Sequence, residues 1–214
     1  MTIVRVASPR SLSALVVASV LAGCAAASSD DASSRVDDTT APAALTAASE
    51  QDAFWASIEG LCGNAYAGRL VQGGASDSTF RTAQLVMHVR ECSADTIRIP
   101  FHVDDDRSRT WVVTRTGHGL RLKHDHRHED GTEDAVTQYG GDSRGGTSEW
   151  QEFAADAHTA QLIPAASTNV WTIEVVPGER FAYALRREGT DRRFRVEFDL
   201  AEPVPAPPAP WGAQ

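Results

Sequence analysis

Apolar positions along the chain follow two periods in succession. Phe54, Trp55, Ile58, Leu61 and Cys62 recur at helical spacing, and Gly63 ends the pattern. Ser49 stands where an N-cap is expected, with Asp52 three residues later, close to a capping box. From Tyr66 onward the period is two. The alternation predicts strands over 66–72, 84–91, 96–103, 110–116, 120–128, 135–139, 149–154, 170–175, 181–186 and 194–200. In the third, Ile97, Ile99, Phe101 and Val103 alternate with Arg98, Pro100 and His102. In the last, Phe194, Val196, Phe198 and Leu200 face one way, and Arg195, Glu197 and Asp199 the other. Asp130-Gly131, Gly140-Gly141, Gly145-Gly146 and Pro177-Gly178 supply turn signals between them. About ten sequential strands with short links predict an all-β, mainly antiparallel fold. An up-and-down barrel with one N-terminal helix accommodates such a meander, and a two-sheet β-sandwich is the alternative.

The densest polar feature is Lys123-His124-Asp125-His126-Arg127-His128-Glu129-Asp130. On a strand, His124, His126 and His128 project with Leu120 and Leu122, opposite Lys123, Asp125, Arg127 and Glu129. A two-residue hairpin loop at Gly117-His118 would pair Thr116 with Gly119, Val113 with Leu122, Trp111 with His124 and Arg109 with His126. An inward histidine row would then run from the core toward the barrel mouth. His124, His126, His128, Trp111 and Arg109 are therefore the candidate ligand-binding residues. Histidines at i and i+2 can also hold Zn²⁺ if a neighbouring strand adds a ligand, so His124, His126 and His128 are candidate metal ligands as well. Arg107, Arg109 and Arg127 nearby disfavour a bare cation and suit an anion. The plainer reading is a hydrogen-bonded polar patch at a strand end. His88 and His102 fall opposite the apolar faces of their strands and are expected outside the barrel.

Length and composition set outer bounds. The 214 residues predict one domain with appendages, and 42% hydrophobic with 23% charged residues excludes a fully disordered chain. Acidic residues exceed basic ones by 29 to 20, a net charge of -9, so no nucleic acid is expected as a partner. No catalytic residue can be assigned. Gly141-Asp142-Ser143-Arg144-Gly145-Gly146 is similar to the GDSGG loop of trypsin-like serine proteases, but Arg144 stands where that family has glycine. It is read as a glycine-rich turn. The histidine run is similar to the HxHxDH motif of metallo-β-lactamase-like hydrolases, with Arg127 where that family has aspartate. The chain has no phosphate-binding glycine loop, GxSxG elbow or CxxC pair.

The first residues read as an address. Arg5 and Arg10 precede an apolar run over 11–22, shorter than the roughly 20 residues that span a bilayer. Leu21-Ala22-Gly23-Cys24 resembles the lipobox of bacterial lipoproteins. That resemblance implies a signal peptide over 1–23 and a lipidated Cys24 that anchors the protein to the cell envelope. Losing Arg5 and Arg10 would take the net charge from -9 to -11 (-9 - 2). Ala25, where aspartate would favour inner-membrane retention, implies the outer membrane. Residues 24–48 are rich in Ala, Ser, Asp and Thr and read as a disordered tether. A barrel domain over 49–201 and a proline-rich tail over 202–214 follow, with Trp211 expected to pack back on the domain. With Cys24 lipidated, Cys62 and Cys92 are the remaining thiols, and outside the cytoplasm such a pair oxidises.

Phe54-Trp55, Leu61-Cys62-Gly63, MHVREC, IRIPFHV, DRSRTW, LRLKHDHRHEDG, YGGD, TNVW and FRVEFDL together resemble an uncharacterised family of proteobacterial secreted proteins, across most of residues 50–200. The resemblance implies export and transfers no catalytic residue. A barrel with a leading helix is also similar to calycin-like ligand binders such as lipocalins. The resulting expectation is a membrane-anchored lipoprotein with a non-catalytic, small-ligand-binding barrel. One alternative is a structural or envelope-interaction protein with a filled barrel. The other is a metal-binding protein or hydrolase built on the histidine cluster.

Overall fold

The computed structural model describes residues 46–213. The expected signal peptide over 1–23, Cys24 and the tether as far as residue 45 lie outside the described residues. The first element, α1 (Ala47–Glu59), takes in the last residues of the stretch expected to be tether. Its cap is Thr46, whose hydroxyl accepts from the Ser49 amide at 3.3 Å. Ser49 instead lies inside the first turn and donates its hydroxyl to the Thr46 carbonyl at 2.8 Å. The helix buries Phe54, Trp55 and Ile58, the face that the helical spacing selects.

Strands follow as β1 (Ala65–Gln72), β2 (Leu85–His88), β3 (Glu91–Cys92), β4 (Thr96–Val103), β5 (Asp106–Thr116) and β6 (Gly119–His126). Then come β7 (Tyr139–Gly146), β8 (Trp150–Ala154), β9 (Asn169–Val176), β10 (Arg180–Arg187) and β11 (Arg193–Val204). Two short helices, α2 (Thr79–Thr82) and α3 (Ala157–Leu162), interrupt the meander. All pairings between these strands are antiparallel, in the order β2-β1-β11-β10-β9-β8-β7-β6-β5-β4-β3. The additional β2–β4 pairing closes ten strands into a barrel and leaves β3 as an extra strand on β4. Closure satisfies the edges that a sandwich would leave open.

The β5–β6 register follows from its two-residue loop: Thr116 pairs with Gly119, Val113 with Leu122, Trp111 with His124 and Arg109 with His126. One expectation fails in the next stretch. Residues 135–138 form no strand, and the glycine run expected to be a turn is β7 itself. A Cβ on Gly141 would lie 1.9 Å from the Ala154 carbonyl oxygen, and one on Gly140 2.0 Å from that of Leu122. These glycines are there because neighbouring backbones approach too closely for any side chain.

α1 lies against β6, β7, β8 and β9. It sits at the end of the barrel that holds the β5–β6 and β7–β8 turns: Gln51 bonds Ser143 at 3.4 Å, and Asp52 pairs with Arg115. The interior behind it is filled by aliphatic and aromatic side chains. Trp111 stacks on Phe101 at 4.8 Å and on Tyr183 at 4.5 Å between ring centroids. A disulfide joins Cys62, just after α1, to Cys92 on β3, closing a sequence separation of 30.

The C-terminal boundary moves. β11 runs on to Val204, past the expected domain end at 201, and the residues after it return along the outer wall. The Trp211 amide donates to the Arg107 carbonyl, and Arg107 Nη1 donates to the Ala209 carbonyl, both at 3.1 Å. His102 lies on the outer face, as its alternation requires, and is nonetheless buried, in a groove it shares with the tail prolines and Trp211.

Candidate functional site

At the end opposite α1 three inward rows finish on arginine. On β5 the row is Val113, Trp111, Arg109; on β10 it is Tyr183, Leu185, Arg187; along β11 and the residue before it, Val196, Phe194, Arg192. Each row passes from packed apolar side chains to a cation within one strand length. A cavity of about 280 Å³ opens there, lined by Trp111, Trp171, Tyr139, Tyr183, His124 and His126. Phe80 on α2, and Ile163 and Ala166 after α3, flank it. Three larger depressions, of about 330, 490 and 640 Å³, lie on the outer wall away from this mouth.

A continuous hydrogen-bond chain fixes the lining. His124 Nδ1 is 3.0 Å from the Tyr139 carbonyl oxygen, which can only accept, so Nδ1 carries the ring proton. Nε2 is then an acceptor, and the Tyr183 hydroxyl donates to it at 2.7 Å. The Tyr139 ring stacks on His124 at 4.4 Å between centroids, and its hydroxyl bonds His126 Nε2 at 3.1 Å.

Burial sets the charge state. Loss of solvation pulls His124 down to about 3, so it is neutral at physiological pH. Burial first and the Arg109 guanidinium second lower His126. Burial raises Tyr139 to about 12 and lifts Tyr183 well above the ordinary phenol value. The walls are therefore neutral, and formal charge is confined to the rim. There Arg109 Nη1 pairs with Asp106 at 2.5 Å, and Arg192 grips Asp77 with both terminal nitrogens, one at 2.8 Å. Arg187 bonds only a neutral partner among the described residues: its Nε donates to Asn169 Oδ1 at 2.9 Å. Three guanidinium groups thus face two carboxylates.

Four of the five residues singled out from sequence line this one cavity: Trp111, Arg109, His124 and His126. His128 does not join them, which corrects its assignment as ligand or metal residue. β6 ends at His126, and the next contact is an isolated Arg127–Glu133 bridge, so the two-residue alternation stops. The His128 side chain is 57% exposed and faces Asp134 at 4.0 Å.

The same geometry bears on the metal and hydrolase readings. Among the described residues no group of three or more His, Cys, Asp or Glu side chains is placed to hold a metal ion. Both His124 nitrogens are committed to protein partners, and a ring titrating near 3 is a poor base at neutral pH. Asp125, the nearest carboxylate in sequence, points to the outer face and pairs with Arg127 at 2.9 Å and Arg98 at 3.3 Å.

Sequence reasoning missed Tyr139, Trp171, Tyr183, Arg187 and Arg192. Three of them carried a readable signal. Tyr183 and Arg187 continue the inward set of β10 at two-residue steps, and Arg192 does the same for Phe194 and Val196. Tyr139 was hidden because its strand was assigned to the wrong side of the glycine pair. Comparisons of the chain with protein-family models, with curated proteins and with solved structures found no match.

Proposed function

We propose that the protein is a non-catalytic binding module whose barrel mouth takes a small ligand, in the manner of calycin-like binders. One observation carries this reading. The barrel interior is packed with side chains except at the mouth, where a 280 Å³ cavity is walled by aromatic rings and neutral histidines. Small-ligand sites have this build, an apolar concavity with few, fixed polar groups. Likeness of shape to lipocalins adds only analogy.

The lipobox-like Leu21-Ala22-Gly23-Cys24 supports export and a lipid anchor at the cell envelope. The anchor is tested by cell fractionation. The wild type is expected with membranes and a Cys24→Ser variant in the soluble fraction; equal distribution of the two refutes it.

Native mass spectrometry of the full-length protein, purified without chelator, tests the binding reading. A bound mass is expected on the wild type and on His128→Ala, whose side chain lies outside the cavity. It should be lost in Leu185→Trp, which places an indole in the mouth. A bound mass that survives Leu185→Trp moves the ligand elsewhere. A bare wild type favours the filled-barrel reading, in which the outer surface does the work.

A further inference from the structure

We propose that the ligand is a flat aromatic molecule of one or two rings carrying a single anionic group, with the rings between the aromatic walls and the anion on Arg187. The inference rests on the binding reading above and deepens it.

Charge selects the class. The chain is acidic overall, with a net charge of -9, yet the mouth presents an excess of positive charge. Of its three guanidinium groups, Arg109 and Arg192 are neutralised by Asp106 and Asp77. Arg187 is held in place through Nε by Asn169 Oδ1, which leaves both terminal nitrogens without a partner among the described residues. A guanidinium anchored by one edge and open at the other is arranged for two parallel bonds to a carboxylate or sulfonate. Low-dielectric walls strengthen that attraction and disfavour a cation entering beside it.

Shape selects the rest. Rings of Phe80, Tyr139, Trp171, Tyr183 and Phe194 line the mouth, and planar ligands match walls of this kind better than branched ones. A volume of about 280 Å³ is at the small end of ligand sites, which excludes a lipid chain or an oligosaccharide. The polar groups of the wall are already bonded to one another, so they exclude ligands that need several hydrogen bonds from the cavity floor.

Paired probes of equal shape test this: 2-naphthoate, which is anionic, and 2-naphthamide, which is neutral. Affinities would be read by calorimetry on the full-length protein. The wild type is expected to prefer the naphthoate about ten- to hundredfold, the worth of a charge-assisted bond. Arg187→Gln, which keeps a donor for Asn169, should abolish the preference and leave naphthamide affinity within about twofold. Arg187→Lys should restore part of it, and urea midpoints would confirm that each variant is folded.

Equal affinities, or a preference that persists in Arg187→Gln, would overturn the proposal. In that case naphthamide binding that disappears in Leu185→Trp would leave the binding reading intact. Binding of neither probe at millimolar concentration would overturn both.

Discussion

Tyr183→Phe removes one oxygen atom from the centre of the site and should cost far more than that atom's size suggests. The ring can stay stacked on Trp111 at 4.5 Å, so little packing is lost. One buried hydrogen bond disappears. The hydroxyl donates to His124 Nε2 at 2.7 Å. His124 is 3% exposed, so its Nε2 cannot turn to bulk water. A buried polar group left unpaired costs about 1–3 kcal/mol. Water entering from the mouth can serve part of that need, which puts the loss at about 1–2 kcal/mol. Urea unfolding at pH 7.5 with the disulfide intact would read this as a lower midpoint, about 0.5–1 M lower for an ordinary slope. Adding His124→Leu to Tyr183→Phe removes both partners of one bond and should recover part of the loss. A single-variant loss under about 0.5 kcal/mol, or strict additivity in the pair, would refute the hydrogen-bond chain as a source of rigidity.

Three further outcomes are expected. His124 and His102 are neutral in the fold, held at about 3 and about 4 by burial, and protonate near 6.5 when unfolded. Stability should therefore be level above pH 7 and fall as pH drops from 6.5 toward 4, by about 1.4 kcal/mol per pH unit for each histidine. Urea midpoints across that range check the sign, and a rise toward acid would contradict it. Replacing both Cys62 and Cys92 with serine should lower stability by about 3–4 kcal/mol for a loop of this length, measured by the same unfolding assay against the oxidised protein. Gly141→Ala should cost about 1–3 kcal/mol or more, because its Cβ would sit 1.9 Å from the Ala154 oxygen; a neutral change would return that segment to a loop.

Period-two alternation carried most of the barrel, because its strands are half-buried and their faces differ sharply. The same rule placed Trp111, Arg109, His124 and His126 together, since a two-residue loop at Gly117-His118 fixes the register of everything paired beyond it. It could not place β7. Residues 140–146 hold no apolar side chain, and glycine signals a turn or a close backbone approach with the same letter. Nor could it place His128, because alternation says where a side chain points only while the strand lasts. The barrel was expected from the meander, but the strand pair that closes it was not legible. Closure depends on the β2–β4 pairing across β3, which no local pattern encodes. Arg187 and Arg192 were within reach of the rule, but as charged residues near strand ends they resemble ordinary solvated positions.

The mouth as the ligand site can be tested at single residues. The chain has five tryptophans, of which Trp111 and Trp171 line the cavity and Trp55, Trp150 and Trp211 do not. Indole N–H signals of ¹⁵N-tryptophan-labelled protein, titrated with 2-naphthoate, would report on all five at once. Saturable shifts at Trp111 and Trp171, with the other three unmoved, are the expected result. Shifts confined to Trp150 or Trp211, or none at saturating ligand, would contradict the account.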